Sequence, residues 1–264
     1  MKQYLLLILN TLSLLAALFV NYLSGTGFFD GKTVGAVSAQ YNTLFTPAGY
    51  AFGIWGLIYL MLIAFVAYQW YAWVKNKDDH ELKQTGVWFI LNNLFNATWI
   101  YVWLNGYLGI SVIVILLMFV TLLVLMFRLR LEIWDAPVRI ITFVWWPIAI
   151  YLGWIIVATV ANISVYLTSI EWGMFGIPEP AWAITMIIAA TLIYIFLIFT
   201  RNLRDAAGVG IWALVAIAVK QWTANENIVI AAVAMSVILF LLISIHGYRN
   251  RNTSPFIKIQ RGEI

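Results

Sequence analysis

Asn92, Asn96, Trp99 and Trp103 follow one another at i, i+4, i+7 and i+11, the spacing of a single helical face. Trp154, Ala158 and Asn162 repeat the pattern at i, i+4 and i+8; Trp55 and Tyr59 stand four apart, and Asn10 and Asn21 eleven apart, about three turns. The chemistry open to these residue types is recognition. Indole and phenol faces stack on flat apolar surfaces, while amides donate and accept hydrogen bonds and so fix a ligand's orientation. Turned inward together, the stripes would wall a cavity with aromatic rings.

Acid, base and metal chemistry lacks its parts. All eleven carboxylates (Asp30, Asp78, Asp79, Glu81, Glu132, Asp135, Glu171, Glu179, Asp205, Glu226 and Glu263) fall in predicted loops or the tail. His80 falls in a predicted loop, His246 falls at the end of the last apolar stretch, and there is no cysteine. An ion-coupled pump usually keeps a carboxylate or histidine inside the membrane despite the cost. Hydrolysis needs a base at the site, and a metal needs ligands. No catalytic acid or base and no metal site is therefore expected.

The same residues have a plainer use. Asparagines in membrane helices often bridge neighbouring helices, at roughly 0.6–2 kcal/mol each. Many of the 14 tryptophans are expected at the membrane interfaces, Trp70, Trp73, Trp88 and Trp134 on one side and Trp172, Trp182 and Trp222 on the other. Depth sets Trp55, Trp99 and Trp154 apart from these. Trp55 is eight residues past Pro47, about 12 Å below the outer boundary by helical rise. Trp99 is about as deep, and Trp154 falls near the middle of its stretch. Three indoles at similar depth suit a flat hydrophobic ligand arriving from the outer face or from the lipid.

The elements that must position these side chains are membrane helices. Of 264 residues, 64% are hydrophobic and 10% charged, against about 25% charged in soluble domains. The mean hydropathy is +0.92. Eight stretches, roughly 4–23, 47–74, 87–108, 109–127, 139–167, 182–200, 207–222 and 228–247, are read as the spans of an all-α, polytopic integral membrane bundle of about eight transmembrane helices. Asn105-Gly106 makes a tight hairpin of the third and fourth. The first stretch has an apolar run longer than a signal peptide's usual core and no A-x-A site after it, which favours a retained helix over a cleaved one.

With eight spans, all but two of the 15 basic residues, Lys32 and Lys220, share one side with both ends. By the positive-inside rule the N- and C-termini are cytoplasmic, in the plasma (inner) membrane. The net charge of +4 is then a topology signal and calls for no nucleic-acid partner. The external side carries loops 24–46 and 168–181, and the basic tail 248–264 is expected to be solvated near lipid head groups.

Three segments resemble the TspO family (translocator protein, tryptophan-rich sensory protein). Pro47-Ala48-Gly49-Tyr50-Ala51-Phe52-Gly53-Ile54-Trp55-Gly56-Leu57-Ile58-Tyr59 is similar to the family's proline-led start of its second helix. Leu91-Asn92-Asn93-Leu94-Phe95-Asn96 resembles its L-N-x-x-F-N segment, and Trp154 to Asn162 resembles its W-x3-A-T-x-x-N segment on the fifth helix. The resemblance covers about residues 1–168, a five-helix unit; three further helices over 169–247 and the tail 248–264 have no counterpart in the family's short members. The family often has tryptophan or another large residue where this chain has Gly49, and proline where it has Gly53. Its sterol-associated pattern ends in a basic residue that is missing after Tyr166.

The resemblance implies a receptor or sensor for a porphyrin-like or other planar hydrophobic ligand, bound among the five helices beneath the first external loop. The implied binding residues are Pro47, Trp55, Tyr59, Asn92, Asn96, Trp99, Trp154, Ala158 and Asn162. No cofactor is required, and a tetrapyrrole would be a ligand; without histidine or cysteine nearby, a free-base porphyrin suits the site better than haem. Some members promote light-dependent porphyrin breakdown, which makes Trp55 and Trp154 the photochemical candidates. The alternatives are a facilitated carrier of a hydrophobic or amphipathic solute and a light-dependent pigment-degrading enzyme. The expected partners are the lipid bilayer, the small-molecule ligand and, by analogy with the family, a second copy in a homodimer.

Overall fold

The computed structural model describes residues 3–41, 43–75 and 80–262; Lys2, Lys77, Asp78, Asp79 and Glu263 lie outside them. Every regular element among the described residues is helical. In chain order these are α1 (Gln3–Gly25), α2 (Val34–Gln40), α3 (Ile54–Val74), α4 (His80–Thr85), α5 (Trp88–Leu104), α6 (Leu108–Arg128), α7 (Val138–Ser169), α8 (Glu179–Arg201), α9 (Arg204–Gln221), α10 (Glu226–Arg249) and α11 (Pro255–Gln260). The eight long ones fall on the eight apolar stretches. Six of them, α1, α3 with the 3₁₀ turn Gly49–Gly53 before it, α6, α7, α8 and α10, are long and apolar enough to cross a membrane. The other two fall short for visible reasons. α5 has 17 residues, about 25 Å of helix against a hydrocarbon core of about 30 Å. α9 has 18 residues and carries Arg204, Asp205 and Lys220 at its ends.

α7 is the most enclosed of the six spans, with α3, α6, α8 and α9 all packed on it. Pro147 gives it no N–H, and a π-helical turn over Ile141–Trp145 just before the proline takes up the irregularity. α5 and α6 form the predicted hairpin, with Gly106 at φ +78°, a conformation only glycine adopts freely.

Amide bridges tie the first spans together. Asn10 Nδ2 donates to Gln69 Oε1 at 3.0 Å, joining α1 to α3, and Asn93 Nδ2 donates to Ser13 Oγ at 3.1 Å, joining α5 to α1. Later spans use close approach instead. A Cβ added at Gly153 would lie 2.7 Å from the Ala206 carbonyl oxygen, and one at Gly210 would lie 2.5 Å from the Tyr194 ring. The Tyr194 hydroxyl donates to the Gly153 carbonyl at 2.7 Å, so α7, α8 and α9 meet at one point.

The segment between α2 and α3 is pinned along α9. Gln221 Nε2 donates to Leu44 O at 3.1 Å, Ala48 N to Ala216 O at 3.0 Å and Trp212 Nε1 to Ala51 O at 3.2 Å. The tail differs from the solvated segment expected. α11 docks near the start of α7, where the buried Lys258 pairs with Asp135 and donates to the Ala136 carbonyl. A buried ammonium needs such partners, and they hold this part of the tail against the protein.

Candidate functional site

Trp55 stands at the start of α3 and is the centre of an aromatic cluster. Its ring stacks on Tyr59 at 5.4 Å between centroids, meets Tyr151 edge-on at 5.7 Å, and approaches both Trp99 and Trp154 at 6.3 Å. Trp99 stacks in turn on Trp103 at 5.5 Å, and Phe52 meets Trp154 edge-on at 5.9 Å. Offset and edge contacts at such distances are the favoured aromatic geometries. Trp99 and Trp154 are buried, whereas Trp55 is partly exposed and separates the cluster from an open cavity.

Two hydrogen-bond chains hold the rings. Trp99 Nε1 donates to Asn162 Oδ1 at 2.8 Å, and Asn162 Nδ2 donates to Ser111 Oγ at 2.8 Å, linking α5, α7 and α6. Asn96 Oδ1 accepts from Asn21 Nδ2 at 2.8 Å and from the Tyr59 hydroxyl at 3.3 Å, while Asn96 Nδ2 donates to the Tyr151 hydroxyl at 3.1 Å. One amide thus joins α1, α3, α5 and α7 behind the rings. The Trp154 indole N–H is buried with no acceptor among the described residues, which leaves a donor for a ligand's polar atom.

Pro47, Trp55, Trp99, Trp154, Ala158 and Asn162 line one pocket, roofed by Val34 and Ser38 of α2. Its volume is about 20 Å³, room for one water and little more. Tyr59 faces the adjoining cavity of about 540 Å³, which shares Val34, Phe52 and Trp55 with the pocket and runs past Leu18 and Asn21 of α1. That size falls in the range of sites that enclose a drug-sized ligand. Gly49 and Gly56 line it, and a Cβ on either would touch nothing within 4 Å. A large side chain at Gly49 would take up this space.

Two predicted residues stand elsewhere. Asn96 lies behind the rings and lines neither of these two cavities. Asn92 turns to α6, donating to Thr121 Oγ1 at 2.8 Å and to Met118 O at 3.0 Å. It bridges two helices about two turns along α5 from Trp99. Sequence reasoning passed over Tyr151 and Phe52. Tyr151 precedes Trp154 by three, on the same helical face, so the signal was present.

The lining offers ring faces to stack on, one free indole N–H and amides around the edge, with no imidazole or thiolate among the residues of either cavity. The family described as TSPO-like protein matches residues 7–245, a span that runs through α8 and α9 and most of α10. No curated protein and no solved structure matches the chain.

Proposed function

The chain belongs to the TSPO-like protein family, and on that premise we propose that it is a membrane receptor for a planar, hydrophobic, porphyrin-like ligand. The ligand enters the 540 Å³ cavity between α1 and α3 and stacks on Trp55. Swinging Trp55 and Phe52 aside joins that cavity to the inner pocket, where Trp99 and Trp154 offer further faces and the Trp154 N–H an open donor. The carrying observation is the convergence of indoles from three helices on Trp55, itself at the rim of a ligand-sized space. On this reading all eight long helices cross the membrane, with both ends cytoplasmic.

Protoporphyrin IX added to the purified protein should quench tryptophan fluorescence saturably. Trp55→Ala should weaken the apparent affinity by about tenfold, the worth of one good stacking partner. Unquenched fluorescence at saturating porphyrin, or an unchanged affinity in Trp55→Ala, overturns the reading. The topology has a convenient test because the chain has no cysteine. Lys32→Cys should react with an impermeant maleimide on intact cells, and Arg251→Cys only after permeabilisation.

Light-dependent breakdown of the bound pigment is a second reading, favoured by the edge contact of Trp55 with Trp154 beside the pocket. It predicts a product that forms under illumination and disappears in Trp154→Phe.

A further inference from the structure

A second large cavity lies on the other face of α3 from the aromatic cluster. Its volume is about 980 Å³, and its walls come from α3, α7, α9, α10 and the segment before α11. It is polarised along its length. Glu132, Arg204 and Asp205 gather at the end of the cavity near the cytoplasmic loops. Eight residues along α9, about 12 Å by helical rise, Trp212 and Tyr50 close the far end with their rings edge-on at 5.3 Å. Between the ends the lining is apolar, with Ile54, Leu57, Ile150 and Val209. Gly53 and Gly208 widen the shaft, since a Cβ on either would meet nothing within 4 Å.

The charged end is short of partners. Among the described residues, neither the Arg204 guanidinium nor the Glu132 carboxyl makes a hydrogen bond or an ion pair; Glu132, Arg204 and Asp205 act on one another only through space. Lys258, which also acts on Glu132 through space, is engaged by Asp135 and Ala136 O. Glu132 is nevertheless held in place. It sits at φ +56°, a conformation that non-glycine residues seldom adopt, and Asn202 Nδ2 donates to its carbonyl at 2.7 Å. Burial, and secondarily the Asp205 carboxylate, push the Glu132 carboxyl up to about 8. A strained backbone, a guanidinium without a hydrogen-bonded partner and two acidic side chains that meet Arg204 only through space form a half-built polar site at the mouth of an apolar shaft.

We infer that this cavity binds a membrane phospholipid of the cytoplasmic leaflet whose head carries both a phosphate and a primary ammonium. The phosphate accepts from Arg204, the ammonium donates to Asp205 and to Glu132, whose carboxyl releases its proton to solvent beside the bound cation, and one acyl chain runs up the shaft toward Trp212. The charge set selects this head. A purely anionic head would bring its phosphate against two carboxylates with a single guanidinium to offset them. A trimethylated ammonium has no N–H and would leave both carboxylates without donors. The charged-end-to-apolar-end direction matches a lipid standing in the leaflet that the basic loops face, so the inference rests on the proposed topology and is independent of the porphyrin site.

The test uses the full-length protein in detergent with phosphatidylethanolamine, phosphatidylcholine and phosphatidylglycerol of identical acyl chains, read by native mass spectrometry for retained lipid. Phosphatidylethanolamine should be retained about tenfold better than either of the others, as charge-assisted hydrogen bonds would give. Glu132→Gln should bring its preference over phosphatidylcholine close to unity. Gly208→Phe, whose Cβ would have nothing within 4 Å and whose ring would enter the shaft, should abolish retention while helical circular dichroism stays that of the unaltered protein; Arg204→Gln, at the rim, should lower retention of all three lipids. Equal retention of the three, better retention of either competitor, or undiminished retention in both Gly208→Phe and Arg204→Gln overturns the inference.

Discussion

The two halves of the bundle are held together differently. α1, α3, α5 and α6 meet through amides: Asn10 with Gln69, Asn93 with Ser13, Asn92 with Thr121, and Asn96 at the centre of three bonds. α7, α8 and α9 meet through missing side chains, at Gly153 against Ala206 and Gly210 against Tyr194. Lipid tails are as apolar as leucine, so burying apolar surface gives little drive for helices to associate in a membrane. Close packing and hydrogen bonds remain, and each half relies mainly on one. The difference bears on function. Helices bridged by long side chains stand apart and leave space between them, and the aromatic site lies in the amide half. Where α7, α8 and α9 touch at Gly153 and Gly210 no space is left between them, and the 980 Å³ cavity opens beside that contact, toward α3 and α10.

Breaking the close-packed half should cost most. Gly153→Ala places a methyl 2.7 Å from the Ala206 carbonyl oxygen and should destabilise by about 3 kcal/mol, read as a large fall in the melting temperature in detergent. Gly208→Ala on α9 has nothing within 4 Å and should leave stability unchanged or raise it by up to ~1 kcal/mol. Equal losses at the two glycines would end the comparison. In the amide half, Asn96→Ala removes three hydrogen bonds and should cost about 2 kcal/mol, while also weakening porphyrin quenching because Tyr59 and Tyr151 lose their common anchor. Asn92→Ala should cost about 1 kcal/mol and leave porphyrin affinity untouched, since its amide faces α6. A loss of affinity there would extend the site about two turns along α5.

The smallest effect is a slope with pH. Glu132 lies outside both sets of contacts, and its folded carboxyl is raised from the ordinary 4.5 to about 8. The folded state therefore holds its proton longer than the unfolded chain does. This contribution to stability is greatest below the ordinary value and declines as pH rises through the window between the two values. Partial exposure to solvent makes the decline shallow. Glu132→Gln should flatten it, as followed by melting temperature against pH.

Part of this arrangement is legible in the order of the residues. The eight stretches, the Asn105-Gly106 turn and the shared face of Trp55 and Tyr59 are local properties, set by hydropathy runs, a glycine's backbone freedom and helical period. Asn92 shows where that legibility stops. It shares a face with Asn96, yet the two amides meet different helices, because periodicity gives a direction around the axis and says nothing of which neighbour stands there at a given depth. The start of the second span shows the same limit: Gly49–Gly53 forms a 3₁₀ turn whose neighbour, Trp212, is 161 residues from the carbonyl it binds. Glu132 reads as one loop carboxylate among several, and only Asn202, 70 residues on, turns it toward the cavity.

The residues alone determined that this chain is helical and lives in lipid, and they marked the aromatic and amide side chains most able to grip a flat ligand. Those outcomes follow from composition and from a 3.6-residue period, which any helix obeys. Packing decided the width of the space beside Trp55, the docking of Lys258 and the meeting of one guanidinium with two carboxylates at the mouth of a greasy shaft. Each depends on how distant helices approach one another, and those approaches are set jointly by every contact at once.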